Sequence, residues 1–307
     1  MKCNLCSGTS FAKTLTGRDQ MYNKEGQFTL MKCTRCGLQF LNPQPKDISK
    51  HYPKEYYSIS TKAQRNKFSE FVYSAYFSDR GNFFLKALFY PIYPLLRGAK
   101  VEPGKKILDI GCGSGTFLSR MKNLGMDVAG IDPFIKKNIS ELNIRKTTIQ
   151  KTGFKENTFD VITMNNVLEH VSDPDSYFKH IHKILKPGGT AIIGVPNING
   201  LLFKIFRQNW AELDLPRHLY HFNKQTLKQY CRKNKLALTK TRYNSVPFEL
   251  TGSIFYFLNS FRKNRKQLSE SWMNKSKILA ILMLPFCHIL SWLRMGGRIE
   301  VYITKKI

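Results

Sequence analysis

An aspartate and three alternating glycines in the middle of the chain form the pattern with the clearest chemistry. Asp109, Gly111, Gly113 and Gly115 directly follow a short apolar run and precede a helix-like segment. Glycines at such a place let the backbone turn sharply and approach a bulky ligand, whose polar groups meet the free N–H groups of the helix. Asp132 ends the next apolar run, where a carboxylate can accept hydrogen bonds from both ribose hydroxyls of an adenosine. The pattern therefore predicts a nucleoside site.

The spacing of the glycines distinguishes between two kinds of nucleoside. A dinucleotide fingerprint has the spacing Gly-x-Gly-x-x-Gly, in which the close approach serves a pyrophosphate. Here the glycines alternate and Asp109 precedes them. Its negative charge would repel a pyrophosphate, but it suits a ligand with an amino group and a sulfonium. The alternative is a tight strand-to-helix turn that binds nothing.

Four cysteines near the start form two pairs, each with a two-residue spacer: Cys3 with Cys6, and Cys33 with Cys36. Tetrahedral zinc takes four such ligands, and the spacer lets both thiolates of a pair face one ion. We predict that these cysteines bind a structural Zn²⁺, because four thiolates leave no open position for catalysis. A redox or disulfide pair is the alternative.

The elements that must position these residues alternate between apolar runs and helical segments from Lys105 onward. Strands are predicted at 107–110, 128–132, 159–164, 190–195, 236–243 and 298–304, with a turn at 186–189. Continuous apolar runs separated by helices are typical of parallel strands that are buried on both faces. We therefore predict an α/β fold with a doubly wound, mostly parallel sheet.

Residues 105–200 resemble the class I S-adenosylmethionine-dependent methyltransferases of the small-molecule subgroup. The resemblance is carried by Ile107-Leu108-Asp109-Ile110-Gly111-Cys112-Gly113-Ser114-Gly115, by Gly130-Ile131-Asp132, and by the segments 159–171 and 185–189. It implies a seven-stranded Rossmann-like sheet and S-adenosylmethionine as the cofactor. It also implies that Asp109 and the three glycines line the amino-acid end of the cofactor, with Asp132 on its ribose. Near Thr148, where the family often has an acid that reads adenine, this chain has no carboxylate.

The cysteine module and its exit, 37–45, resemble the zinc-ribbon leader that precedes methyltransferase domains in bacterial sugar and cell-envelope pathways. The predicted organisation is a zinc ribbon at 1–45, a helical linker at 46–98 and a methyltransferase domain at 99–307. An apolar helical insert at 245–296 interrupts that domain before the last strand.

Three histidines are candidates for a general base. Methyl transfer to a hydroxyl gains from a group that takes the proton, and histidine suits this task near neutral pH. His170 follows the fourth strand, and His218 and His221 lie in a polar turn that resembles a segment of the same subgroup. Arg217 and Tyr220 of this turn are predicted to bind the substrate, with Arg217 as an anion clamp. A packing role for these histidines is the alternative.

The chain is strongly basic: 49 Lys and Arg against 21 Asp and Glu give a formal net charge of +28. This balance reflects either a Lys- and Asn-rich proteome or an anionic partner, such as nucleic acid, an acidic membrane surface or a phosphorylated substrate. The two apolar stretches of the insert, 246–261 and 278–293, fall short of the roughly 20 residues that a membrane span needs. We predict that these stretches form two helices that lie on the surface of an anionic membrane. The alternative is that they pack on each other as a lid or a dimer surface. The sequence does not predict the oligomeric state.

These features predict methyl transfer to a hydroxyl of a saccharide or lipid-linked saccharide in cell-envelope biosynthesis. The expected location is cytoplasmic, at the inner face of the membrane. The alternatives are an RNA methyltransferase with a zinc ribbon, a C-methyltransferase of a nucleotide-linked sugar, and a binding module without catalysis. Nucleic acid is the less favoured partner, because no stacking aromatics alternate with base-reading residues and the apolar insert would have no role.

Overall fold

The computed structural model describes residues 1–52, 67–78, 82–262 and 270–305. In these ranges the strands are β1 Phe11–Gly17, β2 Phe28–Cys33, β3 Gln39–Leu41, β4 Lys106–Ile110, β5 Asp127–Ile131, β6 Ile144–Arg145, β7 Phe159–Asn165, β8 Leu185–Pro196, β9 Tyr220–His221, β10 Leu236–Asn244 and β11 Arg298–Lys305. The α-helices are α1 Lys67–Phe77, α2 Phe83–Leu88, α3 Thr116–Asn123, α4 Pro174–Ile184, α5 Leu201–Phe206, α6 Lys224–Lys233, α7 Pro247–Ser260 and α8 Glu270–Trp292. Residues 53–66 and 79–81 of the predicted helical linker lie outside the described ranges.

The larger sheet has seven strands in the order β10-β11-β8-β7-β4-β5-β6. Strands β4 to β8 pair in parallel, and β11 pairs antiparallel with β8 and β10. The predicted mostly parallel seven-stranded sheet is therefore confirmed. The strand order reverses next to β4, where one connection leads to β5 and a later one to β7. Ligands of such sheets bind in the crevice at this point, beyond the carboxyl ends of the strands.

The prediction of a turn at 186–189 is wrong, because these residues are part of β8. The strand begins at Leu185, which is the partner of Phe159 in β7. The register then shifts between Phe159 and Val161, so that Val161 pairs with Thr190. Gly188 adopts a positive φ of 74° within this irregular stretch. A bulge of this kind adds residues to one strand without ending it.

The N-terminal module is completed by a strand from a distant part of the chain. Its sheet has the order β1-β2-β3-β9, and β9 comes from the polar turn that follows the larger sheet's β8. Gln39 and Phe40 pair with His221 and Tyr220, and the backbone N–H of Leu41 donates to the carbonyl of Leu219. Residues 1–45 and the part with the larger sheet also share one continuous hydrophobic core.

The predicted insert contains α7 and α8, which pack on each other between β10 and β11. A buried carboxyl group anchors α7. Glu249 accepts hydrogen bonds from Trp210 Nε1 at 2.9 Å and from Ser245 Oγ at 2.7 Å. None of the helices in the described ranges has the length and hydrophobicity that crossing a bilayer requires.

Candidate active site and metal centre

A cavity of about 1120 Å³ lies beyond the carboxyl ends of the parallel strands. The ends of four strands contribute Ile110, Ile131, Asn165 and Val195 to its wall. The start of β11 adds Arg298 to Glu300, because β11 runs antiparallel to β8. The cavity therefore lies where the strand order predicts a ligand site.

The glycine turn after β4 requires glycine at two of its positions. Gly111 has a φ of 72°, and a Cβ there would lie 2.3 Å from Val167 Cγ2. Gly115 has a φ of 81°, and a Cβ there would lie 2.4 Å from Ile144 Cδ1. Gly111 and Gly113 line the cavity, whereas Gly115 lies outside its wall and caps the N-terminus of α3. The turn brings the backbone to the cavity wall without side chains, as the sequence predicts.

Asp132 lies at the end of β5 in the cavity wall. Its Oδ2 accepts a hydrogen bond from the N–H of Gly113 at 3.0 Å, and its Oδ1 accepts one from the N–H of Phe134 at 2.8 Å. These two bonds fix the carboxylate, and each oxygen keeps a further lone pair. The position fits the predicted role of accepting ribose hydroxyls.

Asp109 lies deeper than predicted. Its carboxyl group is wholly buried and accepts hydrogen bonds from Thr163 Oγ1 at 2.7 Å and from the Arg97 guanidinium. Burial raises the pKa of Asp109, and the charge of Arg97 opposes that shift. Arg97 itself lines the cavity, next to the carboxyl group of Asp109. No pattern in the sequence points to Arg97, because it precedes the recognisable motif.

S-adenosylmethionine fits the residues at this end of the cavity. Asp109 Oδ2 is buried without a hydrogen-bond partner among the described residues, which leaves an acceptor for an amino group. Gly111 and Gly113 provide the close backbone, and Asp132 provides the ribose acceptor. The stretch Thr147 to Ile149 also lines the cavity, and it carries no carboxylate that could read adenine.

His170 and His218 lie side by side in the cavity wall, with ring centroids 4.7 Å apart. His170 Nδ1 is 3.0 Å from the carbonyl oxygen of Arg217, and His218 Nδ1 is 2.9 Å from that of Glu212. Because a carbonyl only accepts, Nδ1 must carry the proton in each ring, and Nε2 keeps a lone pair. Burial lowers the pKa of both histidines, so that both are neutral near pH 7. Either Nε2 can take a proton from a substrate.

Glu169 is a buried acid in the same wall. Burial raises the pKa of its carboxyl to about 8, and neither oxygen has a hydrogen-bond partner among the described residues. Glu169 is therefore mostly protonated near neutral pH. Glu169, His170 and His218 can each bring one ligand atom within 4.8 Å of the others, so this group could also hold a metal ion.

The structure does not support Arg217 as an anion clamp, which corrects the prediction from the sequence. The guanidinium is wholly buried and lies outside the cavity wall. Its Nη2 donates to Asp19 Oδ1 at 2.8 Å and to Asp214 Oδ1 at 2.6 Å. Both carboxylates hold it in place, and no donor is left for a substrate.

Tyr220 and His221 also lie outside the cavity wall, because they form β9. The hydroxyl of Tyr220 donates to the carbonyl of Ser172 at 3.2 Å. His221 is buried, and its burial lowers its pKa to about 3. This placement corrects the predictions of Tyr220 as a substrate contact and of His221 as a catalytic base.

Of the three histidines predicted as bases, His170 and His218 remain, and the N-terminal module positions His170. Asp19 belongs to this module and binds the side chain of Arg217. The backbone carbonyl of Arg217 accepts a hydrogen bond from Nδ1 of His170. Tyr52 Oη lies 3.1 Å from the same nitrogen. Sequence reasoning missed Asp19 and Tyr52, because nothing in the local sequence connects them with residues so far along the chain.

The four cysteines of the module converge as predicted. The Sγ atoms of Cys3 and Cys36 are 3.5 Å apart, and those of Cys6 and Cys33 are 3.6 Å apart. Zinc–sulfur bonds of about 2.3 Å in a tetrahedron place sulfur atoms just under about 4 Å apart. All four ligand atoms lie within 4.8 Å of one another, so the set fits a zinc ion.

The fold and the cavity define the class I methyltransferases, and comparisons with known proteins agree. The model of the family described as "methyltransferase domain" matches residues 84–241. The chain belongs to this family, which confirms the resemblance seen in the sequence.

Curated relatives include proteins named ubiquinone biosynthesis O-methyltransferase. The protein of this name from Pseudomonas aeruginosa is 34% identical, over 39% of this chain and 58% of the relative. That from Acinetobacter baumannii is 32% identical, over 38% of this chain and 56% of the relative. The chain thus spans little more than half the length of these relatives. A solved S-adenosylmethionine-dependent methyltransferase from Archaeoglobus fulgidus is also similar, with 21% identity, a TM-score of 0.44 and coverage of 78% of this chain and 100% of that one.

We expect Asp132→Asn to bind S-adenosylmethionine about 10- to 100-fold more weakly, because an amide accepts ribose hydroxyls less strongly than a carboxylate and also disturbs the bond from Gly113. Calorimetry with the methyl donor measures the effect. Asp127→Asn, at the exposed start of the same strand, is the matched control and leaves the affinity unchanged. Equal affinity of Asp132→Asn and the unaltered chain would remove Asp132 from the cofactor site.

We expect about one zinc ion per chain, held by the four thiolates. Cys33→Ser lowers both the zinc content and the midpoint of urea unfolding, because β2 carries Cys33 and lies at the centre of the smaller sheet. Atomic emission and tryptophan fluorescence report the two quantities. Cys287→Ala, far from the cluster, keeps the full zinc content. Retention of zinc by Cys33→Ser would argue against this centre.

Glu169→Gln tests the buried acid through the pH dependence of stability. The pKa of Glu169 is about 8 when folded and lies near 4.5 when unfolded, so the folded chain binds more protons between these values. The free energy of unfolding therefore has its full value, as far as Glu169 is concerned, below the unfolded pKa. It falls as the pH rises to about 8, because the buried carboxyl resists ionisation. Relative to the unaltered chain, Glu169→Gln therefore gains stability between pH 5 and pH 8 in urea unfolding. A difference that does not change with pH would show that Glu169 is ionised in the folded chain.

Proposed function

We propose that the chain transfers the methyl group of S-adenosylmethionine to a hydroxyl oxygen of an acceptor bound in the cavity. The observation that carries the proposal is the pair of neutral histidines, each protonated on Nδ1 and not on Nε2, in the same cavity as the glycine turn and Asp132. The names of the curated relatives, which are O-methyltransferases, support oxygen as the atom that is methylated.

The bound cofactor supplies an electrophilic methyl group on a sulfonium, which is its own leaving group. The chain has to hold the acceptor in line with that group, exclude water and take the hydroxyl proton. His170 or His218 takes this proton on Nε2, and the carbonyl that binds Nδ1–H stabilises the resulting imidazolium. Asp214 Oδ2, 3.8 Å from His218 Nε2, adds a nearby negative charge. The charge of Asp214 raises the pKa of His170 against the larger effect of burial, whereas burial and the neighbouring His170 lower the pKa of His218 well below its ordinary value, so both histidines remain candidates for the base.

For the acceptor we propose an amphiphilic hydroxyl compound, with a saccharide or lipid-linked saccharide as the specific candidate. The cavity supports such a molecule because its wall has two kinds of surface. Leu95, Val246 and Phe248 supply apolar groups to the wall, and Asn165, Asn166 and Arg298 supply polar groups.

The zinc ion that we propose for the four cysteines has a structural role. The cluster lies in the module that binds the Arg217 side chain, and it is separate from the histidines of the cavity. Zinc therefore supports the position of the base and takes no part in the chemistry.

We expect His218→Gln to lower the turnover number by about 10²- to 10⁴-fold, as removal of a general base does, with unchanged affinity for S-adenosylmethionine. The assay follows radiolabelled methyl groups from the cofactor into envelope extracts. His170→Gln is compared with it, and the partly exposed His180→Gln is the control. Because burial lowers the pKa of His218 and the neutral form is the active one, turnover stays level from pH 8 to below 6.5 and falls only in more acidic buffer. Full turnover in both cavity variants would exclude the proposed base.

A further inference from the structure

Exposed apolar side chains are concentrated on neighbouring elements beside the cavity. We name this surface the apolar ridge, and it comprises residues 83–95, 254–261 and 279–293. Prominent members are Phe83, Phe84, Leu258, Phe261, Ile281 and Trp292. Phe83 and Trp292 are each 78% exposed, and Phe261 is 75% exposed. Single apolar residues on a surface are ordinary, but a contiguous set of this kind marks an interaction surface.

Contacts between the elements make the ridge continuous. The ring of Tyr90 stacks on that of His288 at 4.4 Å, and His288 Nε2 donates to the carbonyl of Pro91 at 2.8 Å. These contacts join the segment after α2 to α8. In α7, the ring of Phe257 lies 5.1 Å from that of Phe261 and 6.2 Å from that of Phe206 in α5. Since α7 also packs on α8, the ridge is one surface.

The charges around the ridge are of one sign. Exposed basic side chains at its flanks are Lys204, Arg207, Arg262 and Arg294. The ridge and its flanks span 83–97, 201–209, 246–262 and 270–297. Among the side chains that the structure describes in these ranges, Glu249 is the one acid, and it is wholly buried. The sequence between α7 and α8, Lys263-Asn264-Arg265-Lys266-Gln267-Leu268-Ser269, adds three basic residues and no acid, although its structure lies outside the described residues.

We propose that the apolar ridge docks onto an anionic lipid bilayer, with its aromatic and aliphatic side chains at the level of the headgroups. Helices that carry apolar groups on one face and basic groups at the flanks lie in the interface of such membranes. No described helix is suited to crossing the bilayer, which leaves a position on its surface. A second copy of the chain fits the ridge less well, because two basic flanks and two net charges of +28 would face each other.

The position of the ridge also bears on the acceptor, a step that rests on the proposed function. Leu95 belongs to the ridge, is 59% exposed, and lines the cavity as well. Phe248, in the first turn of α7, lines the cavity too. The apolar wall of the cavity thus continues into the docking surface. An acceptor with a lipid tail can enter the cavity while its tail stays in the bilayer.

Flotation of the zinc-loaded chain on density gradients tests the docking. The probes are phosphatidylcholine vesicles with and without phosphatidylglycerol, at low and high salt. We expect the chain to float with the anionic vesicles at low salt and to remain at the bottom with the neutral ones. Salt weakens this binding, because the basic flanks are screened. Absence of flotation with anionic vesicles at low salt would overturn the proposal.

Two variants with the same change in net charge separate the ridge from bulk electrostatics. Leu258→Glu/Phe261→Glu places two acids on the ridge, and Lys155→Gln/Lys183→Gln removes two positive charges from exposed positions elsewhere. We expect the ridge variant to lose roughly tenfold or more of its vesicle binding, and the control variant to lose much less. Equal losses in both variants would show that only bulk charge attracts the chain to lipid and would contradict a docking ridge.

Calorimetry with S-adenosylmethionine on the same proteins keeps the two proposals apart. Unchanged cofactor binding in the ridge variant shows that it is folded, whatever its behaviour on vesicles. Failure to detect methyl transfer, together with normal flotation, would refute the proposed reaction and leave the docking in place. A dimer that forms without vesicles and is dissociated by Leu258→Glu/Phe261→Glu in sedimentation velocity would instead assign the ridge to self-association and overturn the proposal.

Discussion

The guanidinium of Arg217 joins the N-terminal module to the wall of the cavity. It is wholly buried and pairs with the carboxylates of Asp19 and Asp214. Loss of one partner of such a buried ion pair costs about 3–5 kcal/mol, because the remaining charge has no solvent. Asp19 lies in the N-terminal module, and Asp214 lies beside His218 in the cavity wall. The backbone carbonyl of Arg217 in turn fixes the proton of His170 on Nδ1. The geometry of the cavity thus depends on a contact outside it.

Local patterns account for the parts of the fold and site that the sequence predicts well. The glycine turn and Asp132 lie in short stretches whose backbone conformation is set by their own residues, since glycine adopts the positive φ of Gly111 and Gly115 without strain and a Cβ at either position would clash. The two cysteine pairs likewise supply half of a tetrahedral site each. The apolar runs of the sheet and the two insert helices follow from burial and periodicity over a few residues.

The predictions that failed concern residues whose role is set by distant partners. Arg217 and Tyr220 are polar residues in a dense turn, and such composition is typical of a binding surface. In the folded chain, however, Asp19 binds the Arg217 side chain and β3 pairs with Tyr220. Arg97 lies in the cavity wall and forms an ion pair with Asp109. A single sequence contains no signal for such pairings, because neither partner has a spacing or a motif that refers to the other.

The pairing of β3 with β9 has a consequence for how the chain is made. The first strands of the smaller sheet are synthesised early, but their edge is covered only after Tyr220 and His221 have left the ribosome. Contacts between segments this far apart in sequence form slowly, and an uncovered strand edge is a site for aggregation. Early capture of zinc by the four cysteines would hold the hairpin closed during this interval. The metal would then protect the nascent chain as well as stabilise the finished one.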